Sequence, residues 1–371
     1  MRGTKKPAAR HVAMTSPSKQ DSSGPHGAAE LPSVTVDSYN LELRNHDGFI
    51  GDRASKRAFV DIVEDWRERL RRVSDDPLGE IKSDKISKKK FDELLTKGSP
   101  EAAGLIHGAI EEFANELALV IRKFLRTKGW QDTQRIIIGG GFRESRIGEL
   151  AIGRAAVLLK AEGINIDLLP VRFHPDDAGL LGAAHLMPAW TLTGHDALIA
   201  VDIGGSNIRA GILTLEHRKS AGLPKAEVHR SELWRHADDR PSRRQAVDRL
   251  ITMLNELLSK AGNEKLKIAP FIGVGCPGII EPDGSIARGG QNLPGGNWES
   301  SRFNLASELK QAIPTIGNHE TMIVIHNDAV VQGLSEAPFM QDVERWGVAT
   351  IGTGLGNARF TNRPRAEEGG K

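Results

Sequence analysis

Apolar and polar positions change rhythm as the chain proceeds. Residues 34–43 (VTVDSYNLEL) alternate and predict one or two short strands. Phe59, Ile62, Trp66 and Leu70 then recur at spacings of three and four, the single apolar stripe of a helix. Ser99-Pro100-Glu101 supplies a cap, a proline at the first helical position and an early acid, and so opens a long helix. Its buried face is expected to be Ile106, Ile110, Phe113, Leu117, Ile121 and Phe124. Lys88-Lys89-Lys90 falls on a connector and reads as solvated surface. From residue 135 short apolar runs end in glycine. RIIIGGGF (135–142) predicts a strand and a glycine turn before a helix over 147–159. A strand is expected at 171–173, a helix with small residues on one face at 174–186, and a connection between lobes at 190–195.

The second half repeats this grammar. ALIAVDIGGSNIRAGILTL (197–215) is two β runs around a glycine turn, with a third run near 228–233. A helix covers roughly 243–261. Apolar strands at 268–274 and 322–325 flank a hairpin built on Pro282-Asp283-Gly284. GVATIGTGLGNARF (347–360) is again strand, glycine turn, strand. The likeness of 197–214 and 347–360 suits a duplicated fold with one such unit per lobe.

Composition narrows the class. Residues 1–33 hold almost no large apolar side chains and read as a disordered tail. The 50 lysines and arginines against 48 aspartates and glutamates leave a net charge of +2, which speaks for neither a nucleic-acid nor a membrane partner. No apolar run approaches the ~18 residues of a membrane span, and a cytoplasmic protein is expected. A single cysteine, Cys276, excludes an internal disulfide framework and a multi-cysteine zinc site. Cys276 itself reads as a small buried residue. His107, His174 and His185 read as structural or surface residues, and the tryptophans, Trp66, Trp130 and Trp190 among them, as packing anchors. Trp298 is expected near the substrate mouth.

The candidate chemistry sits in the glycine turns DIGGSNIR (202–209), IGTGLGN (351–357) and IGGGF (138–142). Glycine lets backbone N–H groups approach a phosphate and adopts the positive φ such turns need. Each alone could be a tight hairpin, and none fits a P-loop or a Rossmann fingerprint. The first adds context. Asp202 at a strand end suits Mg²⁺ held through water, Ser206, Asn207 and the amides of Gly204 and Gly205 suit phosphate oxygens, and Arg209 adds a cation. In IHNDAV (325–330), Asp328 follows an apolar strand and either caps the next helix or accepts a proton from a substrate hydroxyl. Asn327 would bind a neighbouring hydroxyl.

Together these segments resemble the ROK family (repressors, open reading frames and sugar kinases) of the actin-like ATPase superfamily. DIGGSNIRAG resembles the family's first phosphate motif. IGTGLGN, with Gly352, Thr353, Gly354 and Gly356, resembles the second, and Gly139, Gly140, Gly141 and Phe142 the adenosine motif. GVGCPGIIEPDGSIARGGQNLPGGNW (273–298) is similar to the sugar-side segment, implying Pro277, Gly278 and Asn292 as substrate contacts. HNDAVVQGLSE (326–336) is similar to the segment of the catalytic aspartate, and AGLLGAA (178–184) to the closing helix. The resemblance implies a two-lobed α/β fold, ribonuclease H-like in each lobe, that binds ATP and Mg²⁺ and phosphorylates a hexose or hexosamine, with Asp328 as general base. It also implies a homodimer.

Two departures qualify the resemblance. The adenosine-like segment and closing helix precede the first phosphate motif, so the order reads as circularly permuted. The lobes are then 34–190 and 191–345, with 346–371 returning as a strand pair to the sheet begun near 34–44, within one chain or exchanged between two. The cysteine-rich zinc hairpin and the Glu-x-Gly-His sugar motif are missing, so no zinc is expected. In the matching region His46, Asp47 and Asp52 are substitutes for the motif or ordinary loop residues. The reading is an ATP-dependent sugar kinase. The alternatives are a sugar or nucleotide sensor that has lost transfer, and a chaperone-like or filament-forming ATPase.

Overall fold

The computed structural model describes residues 25–46, 48–216 and 225–364, which form two five-stranded sheets and their helices. The strands are β1 (Val34–Tyr39), β2 (Arg135–Gly139), β3 (Asp167–Pro170), β4 (Ala197–Ile203), β5 (Ile208–Glu216), β6 (Lys225–Trp234), β7 (Ile268–Cys276), β8 (Met322–Asn327), β9 (Arg345–Ile351) and β10 (Leu355–Asn362). One sheet runs β8-β7-β4-β5-β6 and the other β1-β10-β9-β2-β3. In the former, β4–β5 and β5–β6 pair antiparallel, and β4–β7 and β7–β8 parallel. In the latter, β9–β10 and β10–β1 pair antiparallel, and β9–β2 and β2–β3 parallel. The two sheets therefore share one order and one set of directions, and β1 supplies the third strand of the unit that β9 and β10 begin. β10 pairs with β1 and β9 with β2, so the four strands lie in one sheet.

Alternation along the strands sends side chains to different cores. Leu198 and Ala200 of β4 face an inner layer, while Ile199, Val201 and Ile203 face the outside of their sheet. In β2, Ile137 faces the inner layer and Ile136 and Ile138 the outer one. The inner layer is made by two short helices, α5 (Pro175–Leu181) after β3 and α8 (Asp328–Leu334) after β8, which pack on each other and on both sheets. Against the outer face of the β1–β3 sheet lie α1 (Lys56–Leu70), α2 (Lys88–Lys97), α3 (Pro100–Leu125) and α4 (Arg146–Ala161). Against the other sheet lie α6 (Arg243–Asn263) and α7 (Leu305–Ala312). The helix α3 starts where its cap predicts. The Ser99 hydroxyl accepts from Ala102 N–H at 3.1 Å, and all six expected α3 side chains are at most 5% exposed.

Several expectations shift. Residues 1–24 lie outside the described residues, but residues 25–33 are packed: Leu31 is buried and Gly27 N–H donates to the Ile325 carbonyl at 3.0 Å. The strand expected at 171–173 is Asp167–Pro170 instead, an acid and a proline having masked its pattern. The α1 stripe buries Phe59 and Val63 together with Arg67, whose guanidinium is satisfied by Asp76 (2.8 Å), the Ile81 carbonyl (2.7 Å) and the Ser83 hydroxyl (2.8 Å). The lysine run is no connector, since it forms the first turn of α2, capped by Ser87. Trp190 is 75% exposed rather than a packing anchor, and Trp298 is buried against Phe303. Cys276 is buried as expected.

Candidate functional site

The parallel geometry of both sheets brings the ends of β4, β7, β8, β9 and β2 to one rim, and a cavity of about 460 Å³ opens there between the lobes. Gly204, Gly205, Ser206 and Asn207 line it from the turn between β4 and β5, and Arg209 from the start of β5. Gly352, Thr353 and Gly354 line it from the equivalent turn between β9 and β10, and Gly356 from the start of β10. The two turns meet, with Ser206 Oγ 3.3 Å from Thr353 Oγ1. Gly140, Gly141 and Phe142 contribute a third wall. Glycine is required at position 140, where φ is +82° and a Cβ would lie 2.3 Å from the Ile351 carbonyl oxygen. Asn292, Pro277 and Gly278 close the fourth side, with Asp202 and Asp328 at the bottom.

Two predicted residues stay out of this wall. Gly139 is buried behind it, where a Cβ would strike Gln332 Oε1 at 2.4 Å. Asn327, 1% exposed, is the cap of α8: its Oδ1 accepts from Ala329 N–H (3.0 Å) and Val330 N–H (3.3 Å), and its Nδ2 donates to the Gly278 carbonyl (3.0 Å). With Asn327 as the cap, Asp328 projects from the first turn into the cavity. Burial pushes the Asp328 carboxyl up to about 7, with the nearby Asp202 charge adding to the shift. Asp202 is also raised by burial, partly offset by Arg209, whose Nη1 is 3.3 Å from Asp202 Oδ2. Below both carboxylates the Cys276 thiol is pushed well above its ordinary value by burial and by their charges, so no thiolate is available.

The strand that delivers Asp328 is held from outside the lobe. His326 is buried, which lowers its pKa to about 4 and keeps the ring neutral. Its Nδ1 accepts from Asn327 N–H (2.8 Å) and its Nε2 reaches the Ala28 carbonyl (3.1 Å). Residues 26–28, expected to be tail, thus buttress the Asp328 segment.

Other residues join the cavity without a motif to mark them. Asp176 opens α5 and pairs with Arg209. Lys88 Nζ donates to the Gly141 carbonyl at 2.9 Å and pairs with Glu144, so the lysine run reaches the glycine wall. Lys56, Asn40, Glu42, Thr350 and Gln332 line the cavity as well. Only the HPDD run before α5 carries a signal, and it resembles an ordinary helix start. Asp52 does line the cavity; His46 does not, and Asp47 lies outside the described residues. The carboxylates of Asp202 and Asp328 and the Thr350 hydroxyl are hard oxygen donors lining one cavity, the donor type that Mg²⁺ takes. Among the described residues no helix is long and apolar enough to cross a membrane.

No protein-family model and no curated protein matches the sequence. Solved structures do. A candidate sugar kinase from Cytophaga hutchinsonii is 18% identical with a TM-score of 0.34, over 47% of this chain and 52% of that one. A candidate N-acetylmannosamine kinase from Listeria monocytogenes is 23% identical with a TM-score of 0.32, over the same shares. The ROK hexokinase from Thermus thermophilus is 19% identical with a TM-score of 0.30, over 43% and 45%. The chain spans about half the length of these structures.

Proposed function

We propose that this protein transfers the γ-phosphoryl group of ATP to a hydroxyl of a hexose or hexosamine, in a two-lobed actin-like fold whose chain order is circularly permuted. The observation that carries the reading is the convergence on one cavity of two glycine turns, one from each sheet, with a carboxyl whose pKa sits near neutrality. Two glycine turns brought together suit a chain of phosphates better than a single anion. A base poised near 7 suits removal of a hydroxyl proton. The permuted order is supported by the shared strand order of the two sheets, whose third strand in one unit comes from the opposite end of the chain.

In this reading the amides of 205–207 and 353–356, with Arg209, hold the β- and γ-phosphates, and the wall at 140–142 receives the adenosine. Mg²⁺, when bound beside Asp202, neutralises charge on the phosphate oxygens. Asn292 and Gly278 border the acceptor sugar, and Asn40, Glu42 and Asp52 offer the polar contacts that a Glu-x-Gly-His motif would supply. Asp328 takes the hydroxyl proton as the sugar oxygen bonds to the γ-phosphorus. The bond from that phosphorus to the β–γ bridging oxygen breaks, and ADP leaves. Positioning and electrostatics supply most of such a catalysis. Apposition of the two turns keeps water from competing as acceptor.

The test is incubation with ATP and Mg²⁺ across hexoses, hexosamines and N-acetylated sugars, with phosphorus NMR of the product. A sugar-dependent phosphomonoester is expected. Nucleotide binding with no transfer to any sugar would favour the sensor; ATP hydrolysis indifferent to sugar would favour the ATPase.

A further inference from the structure

The rim of the cavity is built twice. β8 passes into α8 through His326-Asn327-Asp328, and β3 leads to α5 through His174-Pro175-Asp176, with each aspartate in the first turn of its inner helix. Both aspartates line the same cavity, but only Asp328 has a part in the reaction above. Asp176 faces across the lobes to Arg209 of β5. That guanidinium divides itself: Nη2 contacts Asp176 Oδ1 closely, and Nη1 lies 3.3 Å from Asp202 Oδ2. Arg209 Nε is buried without a partner, and Asp202 Oδ1 makes no hydrogen bond among the described residues. α5 packs directly on Asp202: a Cβ at Gly179 would be 2.6 Å from Asp202 Cγ. Glu144 cannot stand in for Asp176, since it is engaged by Lys88 and by His174 Nε2 at 2.9 Å.

We propose that Asp176 is a positioning residue that draws the Arg209 guanidinium toward α5 and so leaves one oxygen of Asp202 free for the divalent cation of a metal–nucleotide complex. The inference rests on reading the cavity as a metal–nucleotide site. Without the Asp176 charge, Asp202 is the carboxylate left within reach of Arg209, and a two-bond guanidinium–carboxylate pair forms in the cation's place.

Mn²⁺ is the probe, its binding followed by electron paramagnetic resonance on the full chain saturated with a non-hydrolysable ATP analogue. Four proteins form a cycle: wild type, Asp176→Asn, Arg209→Met and the double variant. Asp176→Asn is expected to weaken Mn²⁺ binding about tenfold when Arg209 is present and less than about twofold in the Arg209→Met background. Equal losses in both backgrounds would mean that Asp176 acts on the cation directly, and no loss beside Arg209 would mean that it does not position Arg209. Either overturns the proposal. Should the wild type bind the Mn²⁺–nucleotide but phosphorylate no sugar, the kinase reading fails and the cycle still decides the role of Asp176. Absence of metal–nucleotide binding in the wild type would remove both.

Discussion

Asp328 shows how one residue's surroundings set its chemistry. Its neighbour Asn327 caps α8, the Asp328 carboxyl lines the cavity while its Oδ1 accepts from Ala329 N–H at 2.9 Å, and burial outweighs that bond and raises its pKa to about 7. As a base it works only when ionised. We therefore expect kcat/KM for the sugar to rise with pH and level off above an apparent pKa near 7, a profile that a pH series measures. The same shift bears on stability with the opposite slope. The folded state holds a proton that the unfolded state has released, so stability falls as pH rises from the ordinary carboxylate range through about 7. Asp328→Asn removes that cost. Its denaturation midpoint should exceed wild type at pH 8, with the gap closing near pH 4. Asp328 is legible in the sequence because an apolar strand, His-Asn-Asp and a helix follow one another without interruption. Asp176 is not, because proline and two acids before a helix look like any helix start, and its partner Arg209 is far away along the chain.

At the scale of elements, the helix α3 can be read residue by residue, since cap, proline and stripe agree. α1 cannot be read in full. The side chain that completes its buried face is Arg67, and a charged residue at an apolar position becomes intelligible only once Asp76, Ser83 and the carbonyls of the following loop are seen around it. Arg67→Ala would strand those acceptors and is expected to destabilise the protein by about 3 kcal/mol, read from denaturant unfolding. The contact of the inner helices is equally demanding. Gly182, where α5 passes into a further helical turn, lies so close to α8 that a Cβ would fall 1.6 Å from the Val331 carbonyl oxygen. Gly182→Ala must push the two helices apart. A loss of at least about 1–3 kcal/mol is expected, together with weaker nucleotide binding as the cavity rim spreads. Thermal unfolding and nucleotide titration would report the two effects, and a variant as stable as wild type would show that the crossing has slack.

For the whole molecule, the repeated pattern of strand, glycine turn and strand marks two related units in the sequence, but not how the second unit closes. Its third strand is β1, more than 300 residues away from β10 along the chain, with Val34 opposite Asn362 and Tyr39 opposite Ala358. No periodicity encodes such a pairing. Nor does composition disclose the role of residues 26–28, which clamp the Asp328 strand through Ile325 N–H and His326. If strand order rather than the position of the chain ends determines this fold, joining the present ends through a flexible linker and opening the chain at 341–344 should give a protein with the same far-ultraviolet circular dichroism and nucleotide affinity. Loss of folding would tie the architecture to the present order. The central claim is that Asp328 is the base in a phosphoryl transfer to sugar. The most direct test is single-turnover transfer from ATP to the preferred sugar by wild type and Asp328→Asn, with nucleotide affinity measured in parallel. The prediction is a loss of at least about a thousandfold in transfer, with nucleotide affinity within about threefold of wild type. Near-normal transfer by Asp328→Asn would contradict it.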